Sequence, residues 1–120
     1  MVNSPTVSVI MGIFNCEKTL PDAIESLMSQ TYQDFELIMC DDNSTDNTLN
    51  IAESYAAKCP DKIIVLKNDK NKGLNFTLNK CLQRARGKYI ARMDGDDMSL
   101  PKRFEKEVSF LESHQDIAIV

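Results

Sequence analysis

Along this chain the apolar positions change their period several times, and each change marks an element. Val7 to Phe14 (VSVIMGIF) is a continuous apolar run rich in β-branched residues. Such a run predicts a short strand buried on both faces. In the following NCEKTLPDAIESLMSQTY, Leu20, Ile24, Leu27 and Met28 recur at helical spacing with acids and Ser between them, and Pro21 suits a first helical turn. Phe35 to Cys40 (FELIMC) predicts a second strand. The polar DDNSTDNT reads as a turn in which Ser44 or Thr45 caps a helix that continues through Leu49 to Ala57, with Pro60 barring helix beyond it. Lys62 to Leu66 (KIIVL) predicts strand three, and NDKNKG a loop. Leu74, Leu78, Cys81 and Leu82 mark a third amphipathic helix ending near Gly87. Lys88 to Met93 (KYIARM) predicts strand four, Pro101 opens a helix with Phe104, Val108 and Leu111 on one face, and Ile117 to Val120 starts a fifth strand.

Strands alternating with helices predict an α/β fold with a mostly parallel sheet covered on both faces. No repeat, low-complexity segment or linker divides residues 1–120, so a single domain unit is expected. The chain stops inside an apolar run, so it is expected to be the first part of a longer protein.

Composition narrows this picture little. With 120 residues, 42% hydrophobic and 27% charged, the chain is ordinary globular material. A net charge of -4 without a basic tail or stripe argues against nucleic acid as partner, but leaves a small phosphate ligand open. Four scattered cysteines (Cys16, Cys40, Cys59 and Cys81) show no CxxC pair and read as structural thiols suited to a reducing cytoplasm. No signal-peptide architecture and no apolar run of membrane-spanning length is present in the sequence.

The candidate chemistry lies at predicted strand ends. In open parallel sheets, ligands bind outside the carboxyl ends of the strands, where strand order reverses. Asp41 and Asp42 follow strand two; Asp94, Asp96 and Asp97 follow strand four; strand one ends in Gly12-Ile13-Phe14-Asn15. If strands one and four are neighbours, these segments line one crevice, and right-handed crossovers make that arrangement reachable. ARMDGDD places three carboxylates within four positions. Hard divalent cations favour such oxygen ligands, and Gly95, lacking a Cβ, permits close approach. The same residues also read as an acidic surface turn with Asp97 capping the next helix. The DDNS acids are ordinary turn and cap residues, or a carboxylate that accepts the ring N–H of a nucleobase. Phe14 offers a stacking face or simply a core residue. Lys72 and Gly73 resemble a phosphate-facing loop before a helix N-terminus, although Lys72 alone reads as a solvated lysine. His114, the single histidine, is expected on the polar side of the last helix with no role.

Together, VSVIMGIFN, SLMSQTYQDFELIMCDDNSTDNT, NKGLNFTLNKCLQRARGKYIARMDGDD and LPKRFEKEVSFL, in this order, resemble the N-terminal nucleotide-sugar-binding part of a family 2 glycosyltransferase with the GT-A fold. The resemblance runs from Val7 to the end. It implies a Rossmann-like three-layer sandwich whose acceptor-binding half lies outside this chain. It implies inverting, metal-assisted transfer of a sugar from a nucleotide-diphosphate donor, a UDP-sugar in preference to others, to a glycan or lipid-linked acceptor. The setting it implies is bacterial cell-surface polysaccharide synthesis, of capsule or lipopolysaccharide type. The location would be cytoplasmic, with membrane-associated assembly partners at the inner face.

Position by position, Gly12, Ile13, Phe14 and Asn15 would contact base and ribose, with Phe14 where the family often has Tyr. Asp42 would accept a hydrogen bond from a uracil-type base, with Asp41 as second candidate. Asn71, Lys72 and Gly73 match the loop near the sugar nucleotide. Arg92 would touch the phosphates or pair with the acids. Asp94-Gly95-Asp96 matches the DxD motif that holds Mn²⁺ or Mg²⁺, and Asp97 would share that role. The general base is expected beyond residue 120, because Glu105, Glu107 and Glu112 read as solvated helix positions. The chain alone is therefore expected to bind donor and metal without transferring sugar. The alternative class is a Mg²⁺-binding, receiver-like signalling module. There the acidic pair follows the first strand and a phosphoacceptor Asp the third; here the pair follows the second, and the third ends in Leu66-Lys67-Asn68.

Overall fold

In the computed structural model, which describes residues 5–113, strands and helices alternate as the apolar periods predict. The elements are β1 (Val7–Ile13), α1 (Leu20–Met28), β2 (Phe35–Asp41), α2 (Thr48–Lys58), β3 (Ile63–Lys67), α3 (Leu74–Arg84), β4 (Tyr89–Arg92) and α4 (Arg103–Ser113). The sheet order is β3-β2-β1-β4. Every neighbouring pair is parallel, and Ile10 of β1 stands between Ile38 of β2 and Arg92 of β4. The chain thus builds outward from β1 through β2 to β3, then returns to the other side of β1. That reversal lies between β1 and β4, where the expected crevice requires it. His114 and the expected fifth strand at Ile117 to Val120 lie outside the described residues.

The two-residue period of the strands sorts their side chains into two cores. Val7, Val9, Met11 and Ile13 of β1 and Phe35, Leu37 and Met39 of β2 pack with Leu20, Ile24 and Leu27 of α1, Ala52 of α2, and Phe104 and Val108 of α4. The Phe35 and Phe104 rings meet edge to face, 5.2 Å between centroids. On the other face, Ile10, Ile38 and Cys40 pack against Leu78 and Cys81 of α3. Helices on both faces make the three layers. Each fully buried aliphatic side chain contributes about 1.5–3 kcal/mol relative to exposure. The smaller face is closed at its far end by a buried carboxylate. Glu36 accepts from Ser8 Oγ at 2.6 Å, from Arg86 N at 2.8 Å and from Arg86 Nε at 3.1 Å. All four cysteines are free thiols.

One expectation is corrected. Neither Ser44 nor Thr45 caps α2, which starts at Thr48. Asp46 does that work from two residues upstream: its Oδ1 accepts Thr48 N at 2.9 Å and also the Thr48 hydroxyl. Ser44 turns back instead, its backbone N–H bonding Asp41 Oδ2 at 3.0 Å. In a stretch where every residue is a competent cap, the helix start is set by which side chain the opposing loop holds.

Candidate functional site

The carboxyl ends of β1, β2 and β4 open onto two adjoining hollows that share Gly12, Phe14 and Leu74. The larger, about 680 Å³, lies between the β1–α1 loop and the β4 end and is also lined by Asn15 to Thr19, Asp46, Asp94, Gly95 and Asp96. The smaller, about 260 Å³, lies toward α3 and adds Ile13, Asp42, Asn71, Gly73 and Thr77.

Two members of the acid cluster, Asp94 and Asp96, line the larger hollow, and Asp97 lines the neighbouring groove. Asp94 is half-buried, Asp96 and Asp97 are exposed, and one ligand oxygen from each lies within 4.8 Å of the others. Ligands on opposite sides of a Mg²⁺ ion stand about 4.2 Å apart, so the three oxygens need only small side-chain adjustments to meet one hard cation. The turn is fixed by its backbone. Asp97 N–H donates to Asp94 O and Asp94 N–H to Asp97 Oδ2, both at 3.1 Å. Thr19, just before α1, donates its hydroxyl to Gly95 O at 3.0 Å. A Cβ on Gly95 would lie 2.7 Å from Cys16 Sγ and 3.3 Å from Ile13 Cγ2, so the turn sits close against the β1–α1 loop only because residue 95 is glycine. Arg92 pairs with Asp94 at 3.4 Å; both side chains are about half exposed, so the pair contributes little stability. Arg92 lines neither hollow and faces a separate groove beside Asp97, Met98 and Leu100.

The two strand-end acids on the other side are differently employed. Asp41 is buried and bound to Ser44, and it lines neither hollow. Asp42 is 6% exposed and faces the smaller hollow. Its Oδ1 accepts Asn68 Nδ2 at 2.9 Å and Lys72 N at 2.7 Å, and its Oδ2 accepts Gly73 N at 3.0 Å. Burial pushes the Asp42 carboxyl up, but donation from Lys72, Asn68 and Gly73 outweighs it and the pKa is lowered. Gly73, with φ of 89°, holds the left-handed turn that aims two successive N–H groups at this one carboxylate. Lys72 serves through its backbone; its ammonium lies over the Phe76 ring, 5.0 Å from the centroid.

The end of β1 joins the two sides. Phe14 is 47% exposed and lines both hollows, leaving a ring face open. Asn15, at φ of 46°, lines the larger hollow and also ties two loops together: its Oδ1 accepts Thr45 N at 2.8 Å, while its own N–H donates to Ser44 Oγ at 3.0 Å. Next to it, Cys16 N donates to Thr48 Oγ1 at 2.8 Å. The β1–α1 and β2–α2 loops are therefore stitched together by side chains some thirty positions apart. Sequence reasoning missed Asn68, Leu74, Thr77, Glu17 and Lys18 as site neighbours. A signal existed only for Thr77, which stands one helical turn after Gly73.

The comparisons with known proteins agree with this architecture. The sequence profile of Glycosyl transferase family 2 matches residues 8–120. EpsE of Bacillus subtilis, which bears a glycosyltransferase name, is 56% identical over 120 residues, covering 100% of this chain and 43% of EpsE. WfaP of Escherichia coli, a UDP-Glc:alpha-D-GlcNAc-diphosphoundecaprenol beta-1,3-glucosyltransferase, is 37% identical over 109 residues, covering 91% of this chain and 42% of WfaP. Among solved structures, Staphylococcus aureus TarS 1-349 in complex with UDP-GlcNAc superimposes with a TM-score of 0.85 at 30% identity, over 92% of this chain and 32% of TarS. The chain thus spans less than half the length of each of these proteins. Its parallel sheet, its crevice at the β1/β4 reversal and its match along nearly the whole sequence lead to one family: the chain belongs to glycosyl transferase family 2 and has the GT-A fold.

Proposed function

We propose that this chain is the donor-binding half of an enzyme that transfers a sugar from a nucleotide-diphosphate donor, a UDP-sugar in preference to others, to a glycan or lipid-linked acceptor. The observation that carries the reading is the pairing of the two hollows. A nucleobase-sized hollow with a carboxylate adjoins a larger one lined by Asp94 and Asp96 of the acid cluster, and the exposed Phe14 borders both. UDP-GlcNAc bound to TarS and the UDP-Glc named for WfaP favour uridine. The diphosphoundecaprenol acceptor named for WfaP favours a lipid-linked acceptor and a role in surface polysaccharide assembly.

In this reading Phe14 presents its ring to the base, and Asp42 Oδ2 accepts the base N–H with the lone pair that Gly73 leaves free. Gly12 and the Asn15 backbone bound the ribose, and Asn71 and Gly73 close the smaller hollow behind the base. Asp94, Asp96 and Asp97 would hold Mn²⁺ or Mg²⁺; the donor set is all hard oxygen, and the chemistry supplied is neutralisation of the diphosphate as leaving group. Arg92, by pairing with Asp94, orients that carboxylate at the rim. The general base that completes an inverting transfer belongs to the part of the enzyme beyond residue 120, since it must reach the acceptor hydroxyl within hydrogen-bond distance. Transfer at the cytoplasmic face of a membrane suits a lipid-linked acceptor; among the described residues no helix is long and apolar enough to cross a membrane.

The test is calorimetric titration of UDP into the whole protein with and without Mn²⁺. Metal-dependent binding of UDP, tighter than that of GDP or dTDP, is expected. No UDP binding in either condition would overturn the donor assignment. Sugar transfer catalysed by residues 1–120 alone would overturn the division of labour.

A further inference from the structure

Behind the smaller hollow lies a buried polar network in which each group's donors and acceptors are matched. Asn68 follows β3 and is 5% exposed. Its Nδ2 donates to Asp42 Oδ1 at 2.9 Å and to Thr77 Oγ1 at 3.0 Å, which uses both amide hydrogens. Its Oδ1 accepts the Lys80 ammonium at 3.3 Å, and the Cys40 thiol lies 3.6 Å away. The Thr77 hydroxyl, having accepted from Asn68, spends its own hydrogen on Gly73 O at 2.8 Å.

An amide has one donor end and one acceptor end, and here a cation faces one and an anion the other. That polarity leaves Asn68 a single orientation, and through it Asp42 a single orientation. Of the four acceptor directions of the Asp42 carboxylate, Asn68, Lys72 and Gly73 take three. The remaining one belongs to Oδ2, on the residue that faces the hollow.

We propose that Asn68 is a positioning residue that fixes Asp42 to read a base with a protonated ring nitrogen, and so sets the preference for a uridine over a cytidine nucleotide. The inference rests on the reading of Asp42 as the base acceptor. Uracil presents N3–H as a donor to this carboxylate. Cytosine presents a bare N3 acceptor, which a carboxylate locked in place repels and cannot avoid by turning. Without Asn68 the carboxylate loses the amide donor that fixes its Oδ1 and no longer holds Oδ2 squarely toward the N3–H of uracil. Uridine affinity therefore falls while cytidine affinity changes little, because the backbone donors of Lys72 and Gly73 still hold the group in the hollow.

The experiment compares UDP and CDP binding, in Mn²⁺, by the whole protein and its variants, with melting temperature as a check on folding. The wild type is expected to bind UDP more tightly than CDP. In Asn68→Ala the ratio of UDP to CDP affinity is expected to fall about tenfold, the weight of one hydrogen bond, with CDP affinity nearly unchanged. Thr77→Val, which removes the hydroxyl that steers the Asn68 amide, is expected to shift the ratio the same way. Thr77→Ser, which keeps the hydroxyl, is expected to retain the wild-type ratio. Should Asn68→Ala fail to fold, the Thr77 pair decides. An unchanged ratio in Asn68→Ala and Thr77→Val, or an equal loss for both nucleotides, would overturn the positioning role while leaving the uridine reading intact. A wild type that binds UDP no better than CDP would overturn both.

Discussion

The two ends of the crevice carry acids under opposite conditions. At the β2 end, Asp42 is buried, and its oxygens receive three donors fixed by a loop, a helix start and an amide. At the β4 end, Asp94, Asp96 and Asp97 crowd together with only the half-exposed Arg92 as a cationic partner among the described contacts. One side is held in a fixed orientation by the protein, with a single acceptor direction left open. The other concentrates negative charge that folding alone does not compensate. Groups that the fold pairs contribute to stability, while clustered like charges that it leaves unpaired cost some self-repulsion.

The sharpest way to break this comparison is Asp96→Ala. No hydrogen bond or ion pair ties the exposed Asp96 carboxylate to the described protein. Its removal is expected to leave thermal stability within about 0.5 kcal/mol of wild type, as at other surface positions. Metal-dependent UDP binding is expected to fall roughly a hundredfold or more, because the ion's charge is what offsets the diphosphate. Differential scanning calorimetry and titration on the same preparation would check both. A large loss of stability would mean that the acid cluster is structural and that the contrast between the two ends is mistaken.

That difference also decides what could be read from the sequence. The acid cluster is local: ARMDGDD sets three carboxylates within four positions, and the strand before it places them. The element order and both helix-covered faces follow from apolar period alone. The network around Asp42 is not local. Asn68 reaches Asp42 across 26 positions, and nothing in NDKNKG separates it from any other loop asparagine. The loop contact of Asn15 was hidden for the same reason. Asn15 follows β1 and lines the larger hollow, and its amide oxygen also accepts from Thr45, thirty residues away. In DDNSTDNT, several residues can cap a helix, and only the facing β1–α1 loop decides that Asp46 does.

At the β2 end the expected effect is smaller and falls on stability as well as on UDP binding. Asp42→Asn turns an amide NH₂ or a weaker carbonyl toward three N–H donors, and no orientation satisfies all of them. A loss of about 2 kcal/mol in unfolding free energy is expected, the cost of leaving a buried donor unpaired. The acid limb of stability should change too. The folded pKa of Asp42 lies below its unfolded value of about 3.9, so the carboxylate's contribution is complete above that pH. It is lost as pH falls through the folded pKa. Urea unfolding between pH 5 and about 2 should therefore show a shallower decline in Asp42→Asn than in wild type. Parallel declines would mean that Asp42 is not held as an anion, and the two ends of the crevice would no longer differ in kind.

The smallest expected effect tests the seam between the two ends, where the β4 turn leans on the β1–α1 loop. Gly95→Ala introduces a Cβ 2.7 Å from Cys16 Sγ. That contact is too short to persist, but its partner is the tip of a half-buried side chain. A rotation of the thiol or a small outward shift of the turn relieves it, at a cost of about 1 kcal/mol, the lower end of overpacking penalties. Two relaxations are available, and they predict different functions. If the thiol moves, stability falls slightly and metal-dependent UDP binding is retained. If the turn moves, the Asp94 and Asp96 oxygens leave their common centre and binding weakens with stability. The Ile13 Cγ2 contact at 3.3 Å, on the β1 side of the turn, favours the second outcome, because Ile13 is buried and has little room to yield. Adding Cys16→Ala removes the Sγ but leaves Ile13, so the double variant should recover stability more fully than it recovers UDP binding. Complete recovery of both would mean that Cys16 alone sets the position of the acid turn, and that β1 serves the site only through its loop.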